Sequence, residues 1–251
     1  MSGHSKWATI KHKKGKTDSA RGKLFSKLIR ELTIAARQGG GDIDANPRLR
    51  TVVDGARDAN MPMDNIERAI KKGTGELEGV IFEETMYEGY GPGGVAIMIR
   101  VLTDNKNRTT SEIRHIFDKY GGSMGAANSV AWQFQPKGVI GIARDKADED
   151  TVLAVALEAG ADDVVTEEAG YTVTAAPDSF GAVKNAFKEK GIAWESAEMT
   201  RVAQNPVTLS ERDSEKVLRL VEQFEEHDDV QQVFANYYIP EETLARISKE
   251  E

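Results

Sequence analysis

Eight cations, Lys6, Lys11, Lys13, Lys14, Lys16, Arg21, Lys23 and Lys27, crowd the start of the 251-residue chain together with His4, Trp7 and His12. Ammonium and guanidinium groups at this density displace counterions from a phosphate backbone, and affinity gained that way needs no base readout. Trp7, beside Lys6, offers a flat face to an exposed base; a hydrophobic anchor onto the following helices is the other use for the same ring. Asp104-Asn105-Lys106-Asn107-Arg108 adds a second polar, cationic loop before a helix start, where free N–H groups and the helix dipole favour an anion. A solvated turn explains Lys106 and Arg108 more plainly. The candidate nucleic-acid-binding set is therefore Lys6, Trp7, Lys11, His12, Lys13, Lys14, Lys16, Arg21, Lys23, Lys27, Lys106 and Arg108.

The rest of the chain has the opposite sign. The formal net charge is -8, yet the first forty residues hold ten Lys or Arg against two acids, Asp18 and Glu31. Through Gly79 there are sixteen cations and ten acids; beyond it, seventeen cations face thirty-one acids. Surfaces of ordinary soluble proteins intersperse the two signs, so this segregation marks the N-terminal region as the part that meets a polyanion. The acidic remainder repels phosphate within a Debye length of about 8 Å at physiological salt. It also suggests a different class of protein, an interaction module whose acidic C-terminal helix, Glu211 to Asp229, docks a basic protein partner.

Catalytic chemistry has little footing. With no cysteine, thiolate nucleophiles, disulfides and Cys-ligated zinc are excluded. His4 and His12 lie in the basic arm, His115 on a helix and His227 among acids at a helix end; none has metal-ligand spacing. Gly89-Tyr90-Gly91-Pro92-Gly93-Gly94 satisfies G-x-G-x-x-G, but a strand follows where a dinucleotide loop must open a helix, so it reads as a tight turn. Gly15-Lys16-Thr17 ends like a P-loop, but Ile10 occupies the first glycine position. Gly121 to Gly125 fits G-x-S-x-G but runs from helix to strand, the reverse of a nucleophile elbow. The expectation is a non-enzyme that needs no cofactor and no metal. No apolar run approaches the roughly 18 residues of a membrane span, which predicts a cytoplasmic protein without membrane contact, a mitochondrial address remaining compatible with the basic start.

The elements that position these residues begin with three amphipathic helices. Leu24, Phe25, Leu28, Ile29, Leu32, Ala35 and Ala36 share one helical face, stopped at Gly39 to Gly41. Asn46-Pro47 starts a second helix, and a third runs from Pro62 or Asp64 to Gly73. Arg30, Arg37, Arg48, Arg50, Arg57, Arg68, Lys71 and Lys72 fall on their outer faces, extending the basic surface. After Gly79 the expected order is a strand over Val95 to Leu102, a helix from Thr109 to Tyr120 with a Thr109/Glu112 capping box, and a strand over Ser129 to Phe134. Gly138 to Ala143 opens a βαββαβ series that a strand from Ile192 closes, the split-βαβ signature. A helix carrying Val217, Leu218, Val221 and Phe224 and a strand from Val230 to Ile239 then complete an interrupted unit. The predicted fold is α+β: a three-helix domain with its basic arm over residues 1–79, a discontinuous α+β domain from 80–136 with 205–251, and a ferredoxin-like α+β domain inserted at 137–204.

Ordered blocks along the chain resemble one known family. Ser2-Gly3-His4-Ser5-Lys6-Trp7, Ile10-Lys11-His12-Lys13, Arg21-Gly22-Lys23, Asn46-Pro47-Arg48-Leu49-Arg50, Asn60-Met61-Pro62 and the run from Asn65 to Gly75 are similar to the YebC/PmpR family. Tyr87 to Gly94, Leu102-Thr103-Asp104-Asn105 and Ser129-Val130-Ala131-Trp132 continue the likeness across nearly the whole chain. The resemblance implies three domains, the first helical and the others α+β, and no known catalytic residues. It implies a role as a transcriptional regulator that binds DNA, or as a ribosome-associated or mitochondrial activator of translation, including translation through proline-rich stretches. Because no groove-reading helix is evident, structured RNA on the ribosome is expected over operator DNA.

Overall fold

The computed structural model describes residues 18–250, Glu168 excepted. Helices α1 (Asp18–Gly39), α2 (Pro47–Asp58) and α3 (Met63–Thr74) close a small bundle over Leu32, Ala35, Leu49, Val53, Ile66 and Ala69. Asn46 joins two of them. Its Oδ1 accepts from the Leu49 N–H at 3.0 Å, capping α2, while its Nδ2 donates to the Ala35 and Gly40 carbonyls at the end of α1. Gly73 permits α3 to cross α1 closely: a Cβ there would lie 2.3 Å from the Thr33 carbonyl oxygen.

Two sheets follow. Strands β1 (Glu83–Tyr90) and β2 (Ala96–Thr103) form a hairpin; helix α4 (Lys106–Lys119) leads from it to the two-residue strand β3 (Ser123–Met124). The chain then departs through β4 (Phe134–Ala143), α5 (Glu149–Glu158), β5 (Asp163–Thr166), β6 (Gly170–Ala175), α6 (Phe180–Glu189) and β7 (Ser196–Ala203). It returns through β8 (Val207–Thr208), α7 (Glu211–Glu226), β9 (Val230–Ala235), β10 (Tyr237–Tyr238) and α8 (Glu241–Glu250). The departing unit is antiparallel in the order β5-β6-β4-β7, the split-βαβ arrangement, with α5 and α6 packed over Ile140, Ile142, Tyr171 and Val173.

The first sheet has the order β3-β1-β2-β9 and is antiparallel throughout. Its spatial layout is also that of a split βαβ, but the chain fills it differently. The slot beside β3 belongs to β1, which precedes the crossover instead of following it. One face of this sheet packs on α4 and α7, where Phe117 and Phe224 meet edge to face at 4.7 Å. The opposite face holds a smaller core of Ala96, Met98, Val130, Phe134 and Phe234.

Several expected elements change on contact with these layers. The first sheet gains β1 where none was expected. Helix α4 starts three residues earlier, capped by the Asn105 side chain on the Arg108 N–H, because Thr109 is fully buried and gives its hydroxyl to internal bonds instead of a capping box. The segment from Ser129 to Phe134 is a 3-10 turn over Ala131–Gln133, and the strand begins at Phe134. Ile192 belongs to the turn after α6, plugging the core; β7 begins at Ser196. The last strand breaks at Asn236, whose side chain accepts from the Ala96 N–H and donates to Gln133 and the Asn205 carbonyl. The tail beyond Pro240 forms α8. No described helix is long and apolar enough to cross a membrane.

The tight α1–α3 crossing gives a paired test. Alanine favours a helix interior over glycine by about 1 kcal/mol. A methyl group added at Gly55 in α2 would meet nothing within 4 Å, so Gly55→Ala should stabilise the protein by roughly that amount. Gly73→Ala must push against the Thr33 carbonyl and should instead cost about 1–3 kcal/mol in urea unfolding. Equal stability of the two variants would sink this account of the crossing.

Candidate nucleic-acid interface

Helix α1 is two-faced. Its apolar side faces the bundle, while Lys23, Lys27, Arg30 and Arg37 line the opposite side at helical spacing. Most of that basic stripe is turned onto the first sheet domain. Lys27 Nζ donates to the Glu225 carbonyl at 2.7 Å, and Arg37 donates to the Phe82 carbonyl. Arg30 donates to the Asp228 carbonyl and to Asp229 Oδ1, and its guanidinium stacks over the Phe82 ring.

Asp229 is the centre of this contact. It is 3% exposed, and its Oδ2 accepts from Arg108 Nη2 at 2.8 Å and from Thr109 Oγ1 at 2.6 Å. Burial pushes its pKa up, but the hydrogen bonds from Thr109 and Arg108 and the nearby Arg30 charge outweigh that and hold the carboxyl below its ordinary value. His227 Nδ1 accepts from the Asp229 N–H, which leaves Nε2 to donate to Glu112 at 2.9 Å. Glu112, His227 and Asp229 could hold a metal by distance. However, both Asp229 oxygens already face guanidinium groups, which repel a cation.

A second ionic cluster lies alongside. Arg100 on β2 bonds Glu31 through both terminal nitrogens and Glu84 through Nε, while Arg48 from α2 meets Glu31, Glu84 and Gln38. Burial raises the Glu84 pKa, yet Arg100 and Arg48 bring the net shift downward. Arg100 shows the mirror image: burial lowers its pKa, and Glu31 and Glu84 outweigh that and hold it above its ordinary value.

The structure thus divides the sequence-predicted cations. Lys6, Trp7, Lys11, His12, Lys13, Lys14 and Lys16 lie outside the described residues. Arg21 is exposed, its guanidinium over the Phe25 ring, and Lys23 is exposed beside it. Lys27 is committed to the domain contact, while Arg108, still half-exposed, bonds Asp229 and, at 2.9 Å, Asp104 within its own domain. Lys106 is exposed at the start of α4, where its carbonyl accepts from Thr110. Arg68, Lys71 and Lys72, absent from the candidate set, project from one side of α3 at i, i+3 and i+4; all three are exposed. That spacing was visible in the sequence. What composition cannot show is which cations meet an acid across a domain boundary.

Two of the tempting glycine motifs resolve as turns, and Gly15-Lys16-Thr17 lies outside the described residues. Gly91 to Gly94 is a 3-10 turn closing the β1–β2 hairpin, with Gly93 and Gly94 at φ of 70° and 77°. Gly121, at φ 76°, follows the C-terminus of α4.

A helical module locked by ion pairs to an α+β body, with a split-βαβ unit inserted in that body, defines the class of protein. The chain belongs to the TACO1/YebC family: residues 5–76 match the TACO1/YebC protein N-terminal domain and residues 82–237 the TACO1/YebC second and third domain. It is 56% identical over 246 residues to a probable transcriptional regulatory protein of Desulfatibacillum aliphaticivorans, covering 97% of this chain and 99% of that one. A probable transcriptional regulatory protein of Dictyoglomus turgidum is 54% identical, with 99% and 100% covered. The crystal structure of a conserved hypothetical protein, Aq1575 from Aquifex aeolicus, superimposes with a TM-score of 0.83 at 50% identity, covering 92% of this chain and 96% of that one.

Asp229 supplies a pH test. Because its folded pKa is depressed, its stabilisation is fully present above the unfolded value near 3.9 and is lost as pH falls through the lower folded value. Asp229→Asn should therefore destabilise the protein by roughly 1–3 kcal/mol at pH 7 and flatten the acid limb of the stability profile below about pH 4. Denaturant unfolding across pH 3 to 7 checks both. An unchanged acid limb in the variant would remove Asp229 from this role.

Proposed function

We propose that the protein is a non-enzymatic regulator of gene expression that binds nucleic acid through its basic arm and the outer face of the helical domain, with structured RNA on the ribosome preferred to operator DNA. The observation that carries this reading is the charge division. Sixteen cations precede Gly79 in a chain of net charge -8. After Lys27, Arg30 and Arg48 are spent on the first sheet domain, the α3 cations Arg68, Lys71 and Lys72 still face outward. The names of the relatives, probable transcriptional regulatory protein, support a regulatory role. The family likeness favours a non-enzyme, and a cytoplasmic site of action fits a nucleic-acid target.

The preference for RNA rests on where the cations of α3 lie. A recognition helix puts its N-terminal residues on base edges. The first turns of α3 carry Asp64 and Glu67, which repel a groove, and the cations sit toward the C-terminal end. That arrangement suits phosphate contact and shape recognition, which structured RNA supplies. The alternative, docking of a basic partner on the acidic end of α7, loses ground to a specific contact: the basic side of α1 already lies against this end, bonding the Glu225 and Asp228 carbonyls and the Asp229 carboxylate.

If about six phosphates are neutralised, log K should fall with log salt at a slope near -5 for duplex and -4 for single strands. Charge reversal of Lys11, Lys13 and Lys14, or of Arg68, Lys71 and Lys72, should weaken every sequence alike. Competition among ribosomes, unrelated folded RNA and promoter DNA at matched salt decides the target. Sequence-selective promoter binding that ribosomes cannot displace would overturn the RNA reading.

A further inference from the structure

In a chain with 29% charged residues, the sixteen residues from Gly121 to Pro136 contain no Asp, Glu, Lys, Arg or His, and neither do the eleven from Gly89 to Ile99. The fold brings the two runs together. Gly89 and Tyr90 pair with Met124 and Ser123, and the Gly125 N–H donates to the Glu88 carbonyl. The result is an uncharged knuckle on an acidic body.

A buried carboxylate shapes it. Glu88, 5% exposed, spends Oε1 on the Asn128 N–H at 2.8 Å and Oε2 on the Val130 and Ala131 N–H groups at 2.8 and 2.9 Å. Three charge-assisted bonds hold the turn, with Asn128 in the left-handed region at φ 65°. Two rings stand on this turn. The Tyr90 hydroxyl and the Trp132 Nε1–H both donate to the Ser129 carbonyl, each at 3.2 Å. Their polar atoms are thereby occupied while the indole remains 66% exposed.

The geometry points to Trp132, with Tyr90, as a stacking platform for an unpaired base of a single-stranded segment. This inference rests on the nucleic-acid reading above and adds to it a second contact, on the first sheet domain and remote in sequence from the basic arm. An ion or a bare phosphate finds no charge here. A partner helix would need several apolar anchors in a groove, whereas the exposed neighbours are Ala126, Ala127 and Asn128. A base needs a fixed flat face, tolerates an indole whose N–H is already used, and can approach because no acid projects from either run. Glu88 is the positioning residue; Trp132 makes the contact.

Trp132 becomes the sole indole in a Trp7→Phe, Trp194→Phe chain, since the protein has three tryptophans. Titration with a single-stranded RNA homopolymer and with a blunt duplex of equal length, at matched salt, is the test. We expect saturable quenching of Trp132 emission by the single strand and none by the duplex. Trp132→Ala in the otherwise native chain should weaken single-strand binding about 5- to 100-fold with an unchanged salt slope, and Trp132→Phe should retain most of the affinity. Because the ring is exposed, the unfolding midpoint of Trp132→Ala should match the parent, which separates lost contact from lost fold. Unquenched emission with native affinity in Trp132→Ala, while reversal of Lys11, Lys13 and Lys14 still abolishes binding, would overturn the platform and leave the nucleic-acid reading standing. If the native chain binds no strand, duplex or ribosome, both fall.

Discussion

The arrangement of the molecule depends on one buried carboxylate. Asp229 sits where α7 gives way to β9, and it ties together Arg30 of the helical domain, Arg108 and Thr109 at the start of α4, and through its backbone the end of β2. A lone buried carboxylate would cost several kcal/mol in desolvation. Asp229 is tolerable because Arg30 and Arg108, both less buried than itself, face its two oxygens. The sign of the body is therefore part of the mechanism of assembly: its acids hold the basic module in place, and only the cations left over are available to anything outside.

This is why the basic surface was half legible in the sequence. Charge counting located the helical domain as the cationic part and cannot distinguish Arg30, which is committed to Asp229, from Arg68, which is exposed. Both sit on amphipathic helices with the same spacing. The distinction is made by residues about 200 positions away, and no local pattern contains it.

The fold shows the same division between local and distant causes. The inserted unit was readable because β4, β6, α5 and α6 have clean apolar patterns, and its sheet order follows from the usual split-βαβ connections. Strand β1 was not, because Glu83-Glu84-Thr85-Met86-Tyr87-Glu88-Gly89-Tyr90 has no apolar alternation to find. Its inward polar residue, Glu88, is satisfied by a turn forty residues away. Conversely the run from Val130 to Phe134 looks like a strand, but Ala131 to Gln133 form a 3-10 turn and only Phe134 opens a strand, since Glu88 takes the N–H groups that a neighbouring strand would otherwise use. Asn105 took the capping role from Thr109 for the same reason: Asp229 claims the threonine hydroxyl.

Strand β1 then acquires a meaning beyond sheet completion. Alternation places Glu84, Met86, Glu88 and Tyr90 on one face. Glu84 meets Arg100 and Arg48 and so anchors the helical domain; Met86 packs in the smaller core; Glu88 and Tyr90 hold the uncharged knuckle. Four residues of extended chain separate the two anchoring carboxylates, about 13 Å. A strand that sequence patterning fails to see thus fixes the distance between the cationic module and the exposed aromatic surface. Its polar residues are polar because each end must satisfy a different neighbour: guanidinium groups at one end, and backbone N–H groups at the other.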